Sequence, residues 1–368
     1  MDDEQNAFLA AVDGLLRATV SDTVSDHLTS IDAGLRPFAE VCLSAATVGG
    51  KRLRPRFAYW AWRTLMGADA PSGQIVALGA ALELLHAAIL VHDDVIDASE
   101  LRRGEPSVRA ALAAHHRCSG WSGSAREFGD HTALLIGDLL WGSAHDLFEV
   151  AVADLDVPQR RSAVTGFRTM RVEVISGQLL ELRAEAAGDF ASSTAEKILQ
   201  YKTSAYTVER PVQLGLDVST ARPATAAVLS RYARATGHAF QLRDDLADLF
   251  GTRLSSGKSG GDDVRAGKPT ELLGETFRRS DEAGLRALAG IVGRADASDD
   301  DIEVIRRIVV ESGAVYSITE RIAGLVDTAR TAVEDLSLSA EVDAPTVRDS
   351  LTGLLDECTD LTFLPALP

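Results

Sequence analysis

The sequence predicts an all-α protein, and three observations predict it. Apolar residues recur at intervals of three and four in 9-FLAAVDGLL, 302-IEVIRRIVV and 322-IAGLVDTARTAV, the spacing of one helix face. Aromatic residues are only 5% while alanine and leucine dominate, a balance that favours helix over strand. Alternating β-branched runs bounded by hairpin turns are scarce.

The elements follow in order. The opening MDDEQNAFLAAV is acidic and amphipathic and lacks the basic-then-apolar layout of a signal peptide. Pro37, Pro55, Pro71, Pro106, Pro158, Pro223, Pro269 and Pro345 sit where helices should start or stop. The most apolar stretch, Ile75 to Val91, carries Glu83 and His86 and is expected to fall short of a membrane span. Two longer breaks are expected, Cys118 to Asp130 and Gly251 to Thr270. The second is rich in Gly, Ser, Lys and Asp, the composition of a binding loop or lid. Pro211 lies inside the helical stretch from Ala195 to Val218 and should kink it. No low-complexity linker and no repeat of 20–50 residues divides the chain, which reads as one domain over residues 1–368.

Composition removes several function classes. The 368 residues hold 54 acids and 37 bases, a net charge of −17. That balance argues against nucleic acid and against a polybasic membrane surface. Hydrophobic residues at 46% suffice for a core. Cys42, Cys118 and Cys358 are far apart and form no CxxC pair, so neither a disulfide framework nor a cysteine zinc site is suggested. A cytoplasmic protein with no stable membrane insertion is expected.

One short pattern recurs: Asp93-Asp94-Val95-Ile96-Asp97, and again Asp244-Asp245-Leu246-Ala247-Asp248. On a helix, residues four apart share a face, so Asp93 with Asp97, and Asp244 with Asp248, can meet one ion. Each motif directly follows a strongly apolar run, ALELLHAAILVH or ATGHAFQL. Carboxylates at the end of a buried helix are costly unless a cation neutralises them. Oxygen ligands without a nearby cysteine suit Mg²⁺, which bridges carboxylates and substrate phosphates. Asp299-Asp300-Asp301, by contrast, reads as acids opening a helix.

Basic clusters interleave with these motifs. Gly49-Gly50-Lys51-Arg52-Leu53-Arg54-Pro55 places three bases in four residues at an expected helix start. Leu101-Arg102-Arg103-Gly104-Glu105-Pro106 follows the first motif, and Gly257-Lys258 and Gly267-Lys268 follow the second. In so acidic a chain, anions must be held by such local clusters. Gly257-Lys258-Ser259 is no nucleotide P-loop, because Gly251 precedes it by one residue too many and no strand leads in.

These residues resemble the trans-isoprenyl diphosphate synthases, the polyprenyl synthetase family, from about residue 30 to about residue 335. The landmarks are GGKRLRP, DDVID with RRGEP, Gly137-Asp138, Gly177-Gln178, Lys202-Thr203, Phe240-Gln241-Leu242-Arg243 with DDLAD, and Gly257-Lys258 through Gly267-Lys268. The segment from His116 to Asp138 is similar to actinobacterial geranylgeranyl diphosphate synthases. The resemblance implies a bundle of mostly antiparallel helices around a deep central cavity, usually a homodimer. The two motifs would face each other across its mouth and hold three Mg²⁺. It implies Asp93, Asp97 and Asp244 as direct ligands, and Asp94, Asp245 and Asp248 as partial or second-layer ones. Arg102, Lys202 and Lys258 would hold the allylic diphosphate, with Lys268 near it. Lys51, Arg54, His86 and Arg103 would hold isopentenyl diphosphate. Thr203 and Gln241 would flank the reacting carbon, whereas His92 has no such match and reads as structural.

Two departures from the family pattern are Glu181, where an aspartate is common, and Tyr206, where leucine is frequent. The implied activity is a prenyltransferase that makes a twenty-carbon product, because small Ala88 leaves the path below Asp93 open as far as Leu82 or Leu78. Trp141 is a further candidate for the floor. A farnesyl or longer-chain synthase, a class I terpene cyclase and a non-catalytic subunit of a heteromeric synthase are the alternatives. Intact motifs and isopentenyl-side cations count against the last two.

Overall fold

In the computed structural model, residues 2–66, 72–219, 223–251, 260–336 and 343–365 are described. The chain is all-α. Helices α1 (Asp2–Ala18), α2 (Asp26–Ile31), α3 (Arg36–Thr47), α4 (Leu53–Arg63) and α5 (Gly73–Ile96) lead to a two-stranded hairpin, β1 (Leu101–Arg102) and β2 (Glu105–Pro106). Then come α6 (Val108–Cys118), α7 (Ala125–Val152), α8 (Val157–Ala187), α9 (Ser192–Ile198), α10 (Arg210–Asp217) and α11 (Pro223–Phe250). The last are α12 (Asp262–Ala266), α13 (Glu271–Arg279), α14 (Glu282–Ile291), α15 (Asp299–Glu311), α16 (Ala314–Glu334) and α17 (Ala344–Thr359). Two compact units form, Met1–Ala163 with Leu214–Thr220, and Val164–Gln213 with Ala221–Pro368.

In the first unit α5 is the core helix and packs against α7, α4 and α1. Its run of Ala and Leu explains both its helicity and its burial. Gly79 lets α1 cross closely, since a Cβ there would lie 2.9 Å from Val12 and 3.0 Å from Phe8. The helix extends beyond Ile75 and Val91 to 24 residues, so it is long and apolar enough to cross a membrane, contrary to the sequence expectation. Its apolar surface is instead turned into the protein, with 72% of the most apolar window buried. Helix α1 also grips α4: Glu4 accepts from the Tyr59 hydroxyl and from Arg63, and Gln5 accepts from the Trp60 indole at 2.8 Å.

In the second unit α11 packs against α16 and α17. Leu242, Leu246 and Leu249 of α11 join Ile302, Ile305 and Ile318 in one core. The buried Tyr232 hydroxyl donates to the Leu351 carbonyl at 2.7 Å and ties α17 down. Asp299-Asp300-Asp301 opens α15 as expected, with Ser298 and Asp301 forming a reciprocal capping box.

Two local expectations are corrected. The break after α6 is only residues 119–124: Ser124 caps α7 by accepting from Glu127, so residues 125–130 are helical. Pro211 is the second residue of α10, directly after residues Leu199–Glu209, which form a π-helix that passes into α10 at Arg210; the proline's ring nitrogen has no hydrogen to donate to the helical ladder. The segment from Gly251 to Thr270 contains α12, bracketed by Gly261 and Gly267 in the left-handed region (φ 88° and 70°). The expected loop residues Gly257, Lys258 and Ser259 lie outside the described residues.

Candidate active site

The first unit carries a cationic turn beside an acidic helix end. Residues 49–52 turn sharply, with Gly49, Gly50 and Arg52 at φ 70°, 98° and 51°. At Gly50 the φ of 98° itself favours glycine, and a Cβ would also press the Arg103 guanidinium at 2.9 Å, so the two lie in direct contact. Arg103 donates to the Val48 carbonyl at 2.7 Å, so it lies along this turn. Lys51 is exposed on the turn and Arg54 is buried in the first turn of α4.

Partly buried His86 of α5 lies within this charge field. Burial first, then the charges of Arg54, Arg103, Arg102 and Arg52, hold its pKa well below 6.5. The imidazole is therefore neutral near neutrality and can hydrogen-bond without adding a proton to a crowd of cations. Folding excludes that proton, so stability is full above the ordinary imidazole range. It falls as pH drops through that range, where the unfolded chain takes a proton the folded chain refuses. Urea unfolding at pH 7.5 and pH 5.5 should show a smaller acid loss in His86→Gln than in the wild type. An equal loss in both would contradict the assignment.

The hairpin returns a cation to the acidic end of α5. Arg103 and Gly104 at its tip have φ 55° and 82°, as a tight primed turn demands. This aims Arg102 at Asp94, where Nε donates at 2.9 Å and Nη2 donates as well. Asp94 is buried by this pair, whereas Asp93 lies 3.6 Å from the same guanidinium and Asp97 is exposed. His92 sits on Gly137, where a Cβ would come within 2.2 Å of the ring. The His92 ring lies 3.2 Å from the Leu134 carbonyl and 3.5 Å from Asp138, which fits the structural role expected of it.

The second unit carries the other cluster. Gly177 of α8 allows the π-helix to approach, since a Cβ would lie 2.4 Å from the Lys202 nitrogen. Buried Glu181 accepts from the Lys202 ammonium and, at 3.2 Å, from Gln178. The departure at residue 181 therefore bears on Lys202 directly. Thr203 is partly buried beside it, and Tyr206 is buried in the same π-helix. At the end of α11, Gln241 donates to Asp245 at 2.7 Å and Arg243 donates to Asp244 at 2.9 Å. Asp248 accepts from the Asp263 amide at 3.1 Å, and the Lys268 amide donates to the Asp263 carbonyl at 2.9 Å. Burial first, then the charge of Asp263, with that of Asp244 adding, holds the Asp245 pKa well above its usual range. A bound divalent cation would reverse that balance.

Among the described residues, no three His, Cys, Asp or Glu side chains enclose an ion by themselves. Asp93 in the last turn of α5, Asp97 at its C-cap, and Asp244 and Asp248 of α11 are the carboxylates these two helix ends present. Sequence reasoning missed Arg52, Glu83 and Asp263. The first two were readable only as one more base in a basic run and one acid in an apolar helix.

A sequence model described as polyprenyl synthetase matches residues 36–309. A short chain isoprenyl diphosphate synthase of Methanothermobacter thermautotrophicus is 29% identical over 84% of this chain and 86% of its own. A (2E,6E)-farnesyl diphosphate synthase of Mycobacterium tuberculosis is 30% identical over 78% of this chain and 72% of its own. A geranylgeranyl pyrophosphate synthase of Corynebacterium glutamicum, solved with isoprenyl diphosphate and magnesium, superposes with a TM-score of 0.87 at 30% identity, covering 95% of this chain and 98% of that one.

Proposed function

The chain belongs to the polyprenyl synthetase family and is a trans-prenyltransferase, and we propose that it condenses isopentenyl diphosphate with an allylic diphosphate to give the twenty-carbon geranylgeranyl diphosphate. The observation that carries this reading is an acidic helix end with basic side chains in each unit. In the first they are Lys51, Arg54 and Arg103 around neutral His86, and in the second Lys202, held by Glu181 in the π-helix that packs on α11. Cations in both units suit two diphosphates.

In this reading Lys51, Arg54, His86 and Arg103 hold isopentenyl diphosphate, while Arg102, Lys202, Lys258 and Lys268 hold the allylic diphosphate. Asp93, Asp97 and Asp244 would hold Mg²⁺ directly, with Asp94, Asp245 and Asp248 supporting, and three ions would be present with substrate. Mg²⁺ there would supply Lewis-acid neutralisation of the leaving diphosphate. The chain's own cations bear the same charge as it develops. The Gln241 amide hydrogen is given to Asp245, which leaves its carbonyl oxygen, with the Thr203 hydroxyl, to face the electron-poor allylic carbon. The double bond of isopentenyl diphosphate then attacks that carbon. A proton passes to the released diphosphate, so no serine or cysteine nucleophile is needed. Apolar side chains exclude water, which would otherwise trap the cation as an alcohol.

Product length rests on α5. Ala88, Leu85, Leu82, Ala81 and Leu78 are all buried on it. At 1.5 Å per residue, Leu82 lies roughly 16 Å and Leu78 roughly 22 Å below Asp93, about the reach of a twenty-carbon chain. Ala88→Phe should shift the product to fifteen carbons or fewer, as read by chromatography of the dephosphorylated alcohols. An unchanged product would contradict the role of Ala88. A homodimer in the cytoplasm is part of the same proposal, supported by exposed Leu134, Leu135 and Leu139 on α7; light scattering tests the dimer. Incubation with isopentenyl diphosphate, farnesyl diphosphate and Mg²⁺ should yield geranylgeranyl diphosphate. A cyclic hydrocarbon from farnesyl diphosphate alone would overturn the reading, as would inert protein.

A further inference from the structure

Arg52 sits among the bases of the first cluster yet points away from them into the protein. It stands at the N-cap of α4 in the left-handed conformation, φ 51° and ψ 39°, with no glycine to ease it. For a residue with a Cβ this conformation is strained, so something must hold it. Three ties do: Nη1 donates to Glu83 of α5 at 2.8 Å, Nε donates to Asp13 of α1 at 3.1 Å, and Nη2 donates to the Thr47 carbonyl at 3.1 Å. The Arg52 side chain is 10% exposed and Glu83 is 3% exposed, whereas Asp13 is 40% exposed. The ties join three helices at one backbone turn, and that turn carries Lys51 on one side and Arg54 on the other.

We propose that Arg52, clamped by Glu83 and Asp13, is the positioning residue that fixes the Lys51–Arg54 turn for isopentenyl diphosphate, making the N-terminal helix part of that site. Arg52 does not touch substrate. It sets the backbone from which the two contacting cations project. Glu83 pairs with Arg52 at 2.8 Å and its charge also acts on Arg103, so this buried carboxylate moderates the cationic field in which Lys51, Arg54 and Arg103 meet a diphosphate. Helix α1 precedes the residues that the family model matches, 36–309, and Asp13 gives it a reason to matter for one substrate only.

The inference rests on the proposed function, and steady-state kinetics separates the two. The double variant Arg52→Gly/Glu83→Gln removes the guanidinium and its buried counter-charge together, and glycine relieves the left-handed strain. Its melting temperature should stay near that of the wild type. Its KM for isopentenyl diphosphate should rise about tenfold, the effect of roughly one charge-assisted contact misplaced, with KM for farnesyl diphosphate unchanged. Asp13→Asn, at a half-exposed position, should raise the same KM by about two- to fivefold, and Arg52→Lys should fall between wild type and the double variant. An unchanged isopentenyl KM in the folded double variant would overturn the proposal. So would an equal rise in both KM values, the mark of a merely structural role. Lys51→Ala is the control: if it leaves the isopentenyl KM unchanged, the substrate assignment itself fails, whatever Arg52 does.

Discussion

Asp93→Ala and Asp244→Ala are each expected to lower turnover by about a thousandfold or more, the loss of several kcal/mol of charge stabilisation in the transition state. Both should keep the fold. Asp93 lies in the last turn of α5 with its side chain 19% exposed, and Asp244 is 39% exposed and accepts from Arg243 at the surface. Neither substitution removes an apolar core contact. Circular dichroism and melting temperature check the fold, and single-turnover kinetics at saturating substrate checks the step. Asp94→Ala should behave differently. It strips partly buried Arg102 of the carboxylate that holds it, so stability should fall together with activity. Near-normal turnover in Asp93→Ala or Asp244→Ala would remove the metal assignment.

Separate sites for the two diphosphates give the second large effect. Lys51→Ala and Arg54→Ala should each raise KM for isopentenyl diphosphate by about ten- to a hundredfold, the weight of one charge-assisted contact of roughly 1.5–3 kcal/mol. Lys202→Gln should do the same for the allylic substrate. Glutamine is chosen there because Glu181 is buried against Lys202 and alanine would leave that carboxylate unpaired. Initial rates over a grid of both substrates read the two constants independently. Equal effects on both substrates in all three variants would collapse the two sites into one.

Much of this was legible in the sequence because it follows from local rules. Helix spacing gives the all-α fold, and residues four apart put Asp244 with Asp248 on one face of α11, while Asp97 caps α5 with its amide donating to the Asp93 carbonyl at 2.8 Å. What was illegible depends on long-range packing. Pro211 signalled a kink, but nothing in the local pattern announced that residues 199–209 before it form a π-helix. The Gly177 and Gly137 landmarks carry no visible reason until Lys202 and His92 are seen lying on them. Arg52 was indistinguishable in the sequence from Lys51 and Arg54. Only its tie to Glu83, 31 positions away, separates the residue that holds the turn from the residues the turn presents.

The central claim is that two prenyl diphosphates are joined, and carbon labelling tests it most directly. Isopentenyl diphosphate labelled at its methyl carbon is incubated with unlabelled farnesyl diphosphate and Mg²⁺, and the product is analysed by mass spectrometry. The account predicts one label per twenty-carbon diphosphate and release of one diphosphate per bond formed, with no product when either substrate is omitted. Diphosphate release from farnesyl diphosphate alone, with no label entering any product, would contradict it.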